Sequence, residues 1–314
     1  MKIPRFGKVL TINYENKVAL KRKLEPRFFG KMHVFQHFAK EGELRALYKG
    51  RTGNDVRYLQ WYLGVPVTGT YDNATFNAVR KNQAETGLVA DGSCGPATQK
   101  KWGLTDYIVH VYDRKDVWFA GTVYGSKVYP LRTLKQWATL EGADRVYNLA
   151  FFAMQDGVDK YGTIKGRTVN YVKAKGKDLG YGGVPQRMTV NEGNICGGYK
   201  VGIENGRKQS VSSWGARSRN ANGLLKDGRY FQVQSIYNVT EKALVDFMAQ
   251  NYAVDLLLFQ DGGGSTGFYD RTRDALIAPE KEGSNGRPVA SVVCVKKIEE
   301  PKIRTCPTCG QEWR

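Results

Sequence analysis

The chain has 314 residues and carries 48 Lys and Arg against 30 Asp and Glu, which gives a formal net charge of +18. Because 41% of the residues are hydrophobic and 12% are aromatic, the chain can bury a core, and a wholly disordered protein is excluded. No stretch approaches the roughly 18 apolar residues that a membrane span requires. So large a positive charge points to a polyanionic partner: nucleic acid, anionic lipid or an anionic cell-wall polymer.

Changes in composition along the chain predict four segments. Residues 1–50 form a basic arm with 12 Lys and Arg against 4 Asp and Glu, and the arm lacks the apolar core of a secretory signal peptide. We expect residues 51–104 to form a small helical domain, residues 105–297 a larger strand-rich domain, and residues 298–314 a polar tail. The arm could bind nucleic acid or simply be solvated, and the lack of a DNA-reading motif argues against nucleic acid.

Three short helices are predicted in the second segment. The first begins at Asn54 or Asp55, either of which can cap it, and the second runs over residues 74–84. The third opens at Pro96 and ends near Gly103, since Pro is tolerated in the first helical turn and Gly ends helices. Three helices in so short a segment indicate a very small bundle.

The same residues carry a resemblance to a known family. Its motifs follow in order: Asn54-x-Val56-x-x-Leu59-Gln60-x-x-Leu63, Gly69-x-Tyr71-x-x-x-Thr75-x-x-Ala78-Val79 and Gln83-x-x-x-Gly87-Leu88-x-x-Asp91-Gly92-x-x-Gly95-Pro96-x-Thr98. This stretch resembles the peptidoglycan-binding type 1 domain, with departures at Asn82 and Cys94. The resemblance implies a shallow groove for sugar and peptide, and the alternative is a helical spacer without a ligand.

The third segment is read mainly as strands. Strands are predicted over residues 107–112, 117–120, 145–152, 254–259 and 287–295. Two helices are predicted, the first over residues 133–140 and capped by Thr133, the second over residues 240–252 and capped by Thr240. The fold class is therefore α+β, a three-helix bundle followed by a strand-rich mixed α/β domain.

A glycine-rich loop follows the predicted strand at residues 254–259. It reads Asp261-Gly262-Gly263-Gly264-Ser265-Thr266. Three glycines allow a ligand to approach the backbone closely, and successive N–H groups can form an anion-binding nest. No Gly-Lys-Ser/Thr follows, so the loop is not a P-loop. The alternative is a glycine-rich turn whose Asp261 caps the loop.

The wider pattern of the third segment resembles the phosphodiester glycosidase family. Five segments carry it in the family's order: Asn148-Leu149-Ala150-Phe151-Phe152, Ile203-Glu204-Asn205-Gly206, Arg219-Asn220-Ala221-Asn222-Gly223, Asp261-Gly262-Gly263-Gly264-Ser265 and Arg287-Pro288-Val289. Leu149 and Ala150 stand where the family has glycines, and Asn222 replaces an aliphatic residue. The resemblance implies hydrolysis of a sugar–phosphate diester at the anomeric carbon, with no cofactor required and a divalent metal left open.

The resemblance also implies roles for individual residues. Asp261 would support an oxocarbenium-like centre or activate water, and Asn148 would bind a sugar hydroxyl or orient Asp261. Arg219 and Arg287 would stabilise the phosphate of the leaving group, since guanidinium forks match phosphate geometry. The Gly262–Thr266 loop would bind substrate through preorganised donors.

Two questions stay open at this stage. A second catalytic acid, where one is required, would be Glu192 or Asp227. Cys306 and Cys309 form a CxxC in the tail that has the spacing of half a zinc ribbon, and the remaining two ligands are missing nearby. An unpaired knuckle without metal is the alternative.

Together the two resemblances predict an enzyme that acts at the bacterial cell wall. Its partner would be peptidoglycan or an anionic cell-wall polymer, and its substrate a sugar-1-phosphate diester such as the linkage unit of teichoic acid. A wall-directed domain without a signal peptide would fit a phage or prophage lysin. The alternative is a non-catalytic peptidoglycan-binding protein of a virion or of the wall.

Overall fold

The computed structural model describes residues 45–154, 164–211, 215–278 and 286–296, together with the backbone of residues 304–305 and 312–313. Most of the basic arm, as well as Cys306 and Cys309, lies outside the described residues. The predictions made for them therefore stay predictions, as do the predicted domain boundaries. No helix within the described residues is long and apolar enough to cross a membrane.

Three helices form the first folded part, which we call the helical module. They are α1 Asn54–Leu63, α2 Asn73–Glu85 and α3 Pro96–Trp102. Asp72 caps α2, because its side chain accepts the amide of Thr75. The predicted cap of α1 is wrong. Gly53 occupies that position with φ 143°, and the Asp55 carboxylate instead accepts from Arg45 at 2.7 and 2.8 Å.

Two buried glutamines hold the two glycine loops of the module in the same way. The Gln60 amide donates to Thr70 O at 2.8 Å, and its carbonyl accepts the Gly69 N–H at 2.8 Å. Gln83 likewise donates to Ser93 O and accepts the Gly92 N–H, both at 2.9 Å. Each glutamine therefore satisfies backbone groups that a buried loop would otherwise leave unpaired.

In the described part of the chain, fifteen strands and two helices form a layered domain. The strands are β1 Tyr107–Tyr112, β2 Val117–Gly121, β3 Arg145–Asn148, β4 Val172–Ala174, β5 Lys177–Gly180, β6 Arg187–Asn191, β7 Asn194–Gly197, β8 Lys200–Glu204, β9 Arg207–Lys208, β10 Asn220–Leu225, β11 Tyr230–Ser235, β12 Val254–Gln260, β13 Phe268–Asp270, β14 Ala275–Ile277 and β15 Ser291–Val295. Two further strands, β16 Arg304–Thr305 and β17 Glu312–Trp313, pair with each other and belong to a separate unit. The helices are α4 Leu134–Glu141 and α5 Glu241–Asn251. Thr133 and Thr240 cap them as predicted.

Two antiparallel sheets build the domain, and a smaller one flanks them. The first has the order β1-β11-β10-β12-β8-β9, the second β14-β13-β3-β15-β2, and the third β5-β4-β7-β6. Helix α5 packs on the outer face of the first sheet through Leu244 and Met248, and α4 packs on the second through Trp137. The inner faces meet where the Tyr112 and Tyr147 hydroxyls lie 2.5 Å apart. The α+β prediction is confirmed.

The inner face of the first sheet is unusually polar. Its buried polar side chains are His110, Asn220, Asn222, Gln232, Gln234 and Gln260. Alternate residues on the same strands, such as Ala221, Phe231 and Phe259, belong to the apolar core beneath α5. Burying polar groups is costly unless they are hydrogen-bonded. The side chains of this face therefore form a hydrogen-bond network instead of an apolar core.

The helical module is joined to this domain through Trp61 of α1. Its indole N–H donates to the Asp270 carboxylate at 3.1 Å, and its ring packs edge-on against His110 and Phe268. Arg145 forms a buried ion pair with Asp270 at 2.5 Å. Module and sheets accordingly belong to one unit, which spans Met32–Ile298.

Two predicted strands are shorter than expected. The strand predicted over residues 145–152 ends at Asn148, because Leu149 instead bonds to Ser291 and Asp261 through its N–H and carbonyl. The strand predicted over residues 287–295 begins only at Ser291. Both ends border the glycine-rich loop, where the chain leaves the regular ladder.

Candidate functional site

Asp261 stands at the end of β12, and its backbone is fixed by three neighbouring segments. Its N–H donates to Leu149 O at 3.0 Å. Its carbonyl accepts from the side-chain amides of Asn148 at 2.8 Å and Asn220 at 3.1 Å. The chain direction at this carboxylate is therefore set by the ends of β3, β10 and β12 together.

The Asp261 side chain is only 6% exposed. Burial raises its pKa to about 7, against the opposing effects of hydrogen bonds from Ser265 and Asn148 and of the positive charge of Arg287. A carboxyl group with this pKa can both accept and release a proton near neutral pH, which is what general acid–base catalysis requires. The structure thus places Asn148, Ser265 and Arg287 close enough to Asp261 to act on its carboxyl group.

The glycine loop differs from the expected anion nest. Residues Gly263–Ser265 form a single 3₁₀ turn. The Gly263 N–H donates to Ser218 O at 2.7 Å, while the amides of Ser265 and Thr266 donate to Gly262 O and Gly263 O. Three amides of the loop are therefore used inside the chain, and the loop serves first to place Asp261 and Ser265.

Steric and backbone constraints explain why Gly occupies positions 262 and 263. A Cβ on Gly262 would lie 2.7 Å from Ser218 O, closer than real contacts allow, and Gly263 has φ +59°. Thr266 also turns toward this neighbour, with its hydroxyl 3.3 Å from Ser218 O. The loop is packed tightly against the segment that precedes β10.

Arg219 contributes its backbone to this region, while its charge is directed elsewhere. Its guanidinium forms an ion pair with Glu241 at 3.3 Å and donates to Gly215 O and Val239 O. Glu241 is fully buried at the start of α5 and also binds Lys200 at 2.7 Å. These contacts give Arg219 a structural role in anchoring α5, and the phosphate contact expected from its motif stays a prediction.

Asn148 has one polar atom that the described residues leave unsatisfied. Its Nδ2 donates to the Asp261 carbonyl, but its Oδ1 is buried without a hydrogen-bond partner there. A buried acceptor of this kind is costly unless a ligand or water completes it. Asn148 can therefore accept a hydroxyl of a bound molecule beside Asp261.

The two candidates for a second acid lie away from the loop. Asp227 is exposed in the turn between β10 and β11 and pairs with Arg229 at 2.6 Å. Asn220, at the start of β10, pairs with Gln260 at the end of β12. Asp227 follows the other end of β10, so it lies away from Asp261. Glu192 is exposed in the β6–β7 turn, at the opposite end of β7 from Gly197, whose carbonyl accepts from Gln260.

Sequence reasoning missed the network that supports the site from below. The Asn220 amide also donates to Asn148 O at 2.9 Å, and its Oδ1 accepts from Gln232 at 2.5 Å. Tyr230 in turn donates to Gln232 at 2.7 Å. The visible signal was Asn and Gln at every second position of two neighbouring strands, where an ordinary sheet has apolar residues on its buried face.

Two aromatic rings flank the segments that hold Asp261. Phe151 and Tyr199 are half-buried and pack edge-to-face with ring centroids 5.1 Å apart. The Tyr199 N–H donates to Phe259 O at 3.1 Å, two residues before Asp261. Within the residues that the structure describes, no group of three His, Cys, Asp or Glu side chains is placed to hold a metal ion.

Comparison with known proteins gives one family match. Residues 52–101 match the family model "Putative peptidoglycan binding domain". The match supports an N-terminal peptidoglycan-binding domain. This domain coincides with the helical module, so the resemblance noted in its motifs is confirmed at the level of the domain. No curated protein matches the chain.

Solved structures give only distant likenesses. The catalytic domain of zebrafish N-acetylglucosamine-1-phosphodiester alpha-N-acetylglucosaminidase, auto-inhibited by its pro-peptide, is 12% identical with a TM-score of 0.46, over 61% of this chain and 83% of that one. A hypothetical protein from Synechocystis is 10% identical with a TM-score of 0.40, over 60% and 59%.

Proposed function

We propose that this protein is a cell-wall-directed hydrolase that cleaves a sugar-1-phosphate diester. The observation that carries the proposal is the buried Asp261 carboxyl, whose pKa is raised to about 7 by burial. Enzymes tune carboxyl groups toward neutral pH in this way for acid–base work. The family motifs around Asn148, Asp261 and Arg287 support the same reaction class.

In the proposed reaction Asp261 takes a proton from the attacking water. The water oxygen bonds to the anomeric carbon while the bond from that carbon to the phosphate oxygen breaks, so that a free sugar and a phosphomonoester leave. Arg287 stabilises the charge of the departing phosphate, since arginine–phosphate contacts are strong and directional. Asn148 Oδ1 accepts a sugar hydroxyl, and Ser265 keeps the Asp261 carboxyl oriented.

The cell wall as the place of action rests on the peptidoglycan-binding domain at residues 52–101. Because Trp61 of this domain is buried against the sheets, the domain would hold the hydrolase at a fixed orientation to the wall. Glycosyl-phosphate polymers attached to peptidoglycan, such as teichoic acids, contain the bond in question. The positive charge of the chain favours such polyanions.

The test is product analysis on a panel of glycosyl-1-phosphodiesters, with purified cell walls as a second substrate. The wild-type protein should release sugar and phosphomonoester, and Asp261→Asn should lower kcat by roughly a hundredfold or more, as loss of a general base does. Asp227→Asn is the matched control, because that carboxyl lies in an exposed turn. Equal activity of Asp261→Asn and wild type would refute the assignment.

A second candidate function is that of a non-catalytic peptidoglycan-binding protein. It is favoured by the loop amides and the Arg219 guanidinium, which are already used within the chain. In that case the wild type would cleave no member of the panel, yet would sediment with purified peptidoglycan. Asp261→Asn would then sediment equally well, and the site would be a structural remnant.

A further inference from the structure

The exposed apolar side chains of the protein are concentrated in one place. Nine large apolar side chains are exposed in the described part of the chain, and six of them lie in four neighbouring segments that we call the aromatic strip. Its members are Val123, Tyr124, Val128, Met154, Val169 and Tyr181. A surface patch of this kind marks an interaction site far more often than a scatter of single residues does.

Backbone hydrogen bonds join the segments into one surface. The Tyr124 N–H donates to Asp178 O at 2.8 Å, and the Gly182 N–H donates to Val169 O at 2.9 Å. The Ala153 N–H donates to Arg167 O at 3.0 Å. The strip is therefore a continuous surface beside the small third sheet, and its residues do not depend on a single loop.

The two tyrosines of the strip are held in fixed positions. Their ring centroids are 4.4 Å apart with the rings at 78°, and Tyr124 and Tyr181 are 41% and 58% exposed. The Tyr181 hydroxyl donates to Asp178 at 2.9 Å, while the Arg167 guanidinium lies 5.1 Å from the Tyr124 centroid. Rigid, partly exposed rings give binding surface at low entropic cost.

The charge around the strip restricts what it can bind. Residues 164–187 carry six Lys and Arg against a single Asp, and that Asp178 is already bonded to Tyr181 and Lys173. A neutral apolar partner would use the exposed apolar side chains but would leave the positive charge unpaired. A polymer in which rings alternate with phosphodiester groups meets both the exposed faces and the positive charge.

The strip also leads directly to Asp261. Leu149 O accepts the Asp261 N–H, and Phe151 O accepts the Val169 N–H at 2.8 Å. Ala153, whose N–H donates to Arg167 O, follows four residues after Leu149. The backbone from Leu149 to Ala153 therefore spans at most roughly 13 Å. The edge of the strip at Met154 therefore lies within reach of an extended ligand that begins at Asp261.

We propose that the aromatic strip binds the sugar rings of an anionic glycan whose reacting end lies at Asp261. This inference rests on the proposed function, because it names the polymer rather than a small diester as the substrate of that site. Single-stranded nucleic acid also combines rings with phosphates. The short backbone path to Asp261, together with the peptidoglycan-binding domain elsewhere in the chain, favours the glycan.

Hydrolysis of two substrates by the full chain tests the inference. The double variant Tyr124→Ala/Tyr181→Ala should raise KM for purified wall teichoic acid bearing N-acetylglucosamine by roughly tenfold, as expected when two ring contacts are lost. It should leave kcat/KM for a short glycosyl-1-phosphodiester unchanged, since that substrate does not reach the strip. Leu140→Ala, an exposed apolar residue at the end of α4, is the control and should change neither value.

Affinity electrophoresis with the same teichoic acid separates failure of the strip from failure of the enzyme. If the wild type hydrolyses neither substrate but Tyr124→Ala/Tyr181→Ala still weakens retardation, the strip is supported and the proposed function is wrong. Arg167→Gln should weaken retardation in the same direction and reduce its dependence on salt. Unchanged KM and retardation in both variants, or tighter retardation by a poly-dT oligonucleotide than by teichoic acid, would overturn the inference.

Discussion

The buried carboxyl of Asp261 makes a prediction about stability that does not depend on knowing the substrate. Replacing Asp261 by Asn keeps the shape and removes the titration. The new side-chain carbonyl can accept from Ser265, and the new amide can donate to Asn148 Oδ1, which has no partner among the described residues. The variant should therefore fold, and it should be more stable than the wild type wherever the wild-type carboxyl is forced to ionise.

The size and sign follow from the two pKa values. The pKa of Asp261 is about 7 in the folded protein against an ordinary value of 3.8, so the folded state holds the proton more tightly than the unfolded state. The stability of the wild type relative to the variant is therefore highest below pH 3.8. It falls as the pH rises, and the contribution of the Asp261 proton is lost above pH 7. The whole titration corresponds to about 4 kcal/mol, and about 3 kcal/mol of it falls between pH 4 and pH 7.

The assay is urea unfolding of both proteins followed by circular dichroism at several pH values from 4 to 8. The difference in free energy of unfolding between Asp261→Asn and wild type should grow over this range and level off above pH 7.5. Taking the difference cancels the other titrating groups, which both proteins share. Asp227→Asn provides the control for an exposed carboxyl and should show no such growth.

A difference that stays constant from pH 4 to pH 8 would refute the reasoning, because it would mean that the Asp261 carboxyl titrates alike in the folded and unfolded chains. A difference that shrinks with rising pH would refute it more strongly. That result would mean that Arg287 and the hydrogen bonds outweigh burial and hold the carboxylate ionised.

Three further predictions concern the frame around the site. Trp61→Ala should lower the free energy of unfolding by about 3–5 kcal/mol, the usual cost of truncating a buried Trp; a loss under 1 kcal/mol in urea titration would mean that the module is not anchored there. Burial alone would raise the pKa of Asp270, and the Arg145 guanidinium instead holds it at about 2. Arg145→Met should therefore lower the free energy of unfolding by about 3–5 kcal/mol, and adding Asp270→Leu should restore part of this loss. A double variant less stable than Arg145→Met would contradict the pairing. Gly223→Ala should abolish soluble folded protein, because the new Cβ would lie 1.8 Å from Leu256 O. A variant with the melting temperature of the wild type would refute this close approach of β10 and β12.

Local features of the fold could be predicted because their causes lie within a few residues. The capping box at Thr133 joins it to Gln136, three residues along, and Thr240 caps α5 through Ala243. The strand that ends before Asp261 is likewise read from a short apolar run followed by glycines. The cap of α1 was missed because Asp55 is taken by Arg45, ten residues earlier.

The site was only partly predictable, because contacts between distant residues decide it. Arg219 has the right residue type in the right motif, yet Glu241, 22 residues later, takes its guanidinium. Asn220 stands in the Arg219 motif but has no role assigned from the sequence, and it is placed beside Asn148 and Asp261 only when β10 pairs with β12. The Gly263 amide is occupied because Ser218 packs against the glycines, and the amides of Ser265 and Thr266 are occupied by carbonyls of the loop itself.

The sequence by itself determined the positive charge, the helical module with its peptidoglycan-binding motifs, and Asp261 at the end of a buried strand. These follow from composition, periodicity and short motifs, which act locally. Only the tertiary structure decided how far the Asp261 carboxyl is buried, where the Arg219 charge goes, and that Trp61 joins the module to the sheets. Desolvation and pairing depend on what the rest of the chain brings within a few ångströms, and no local pattern records it.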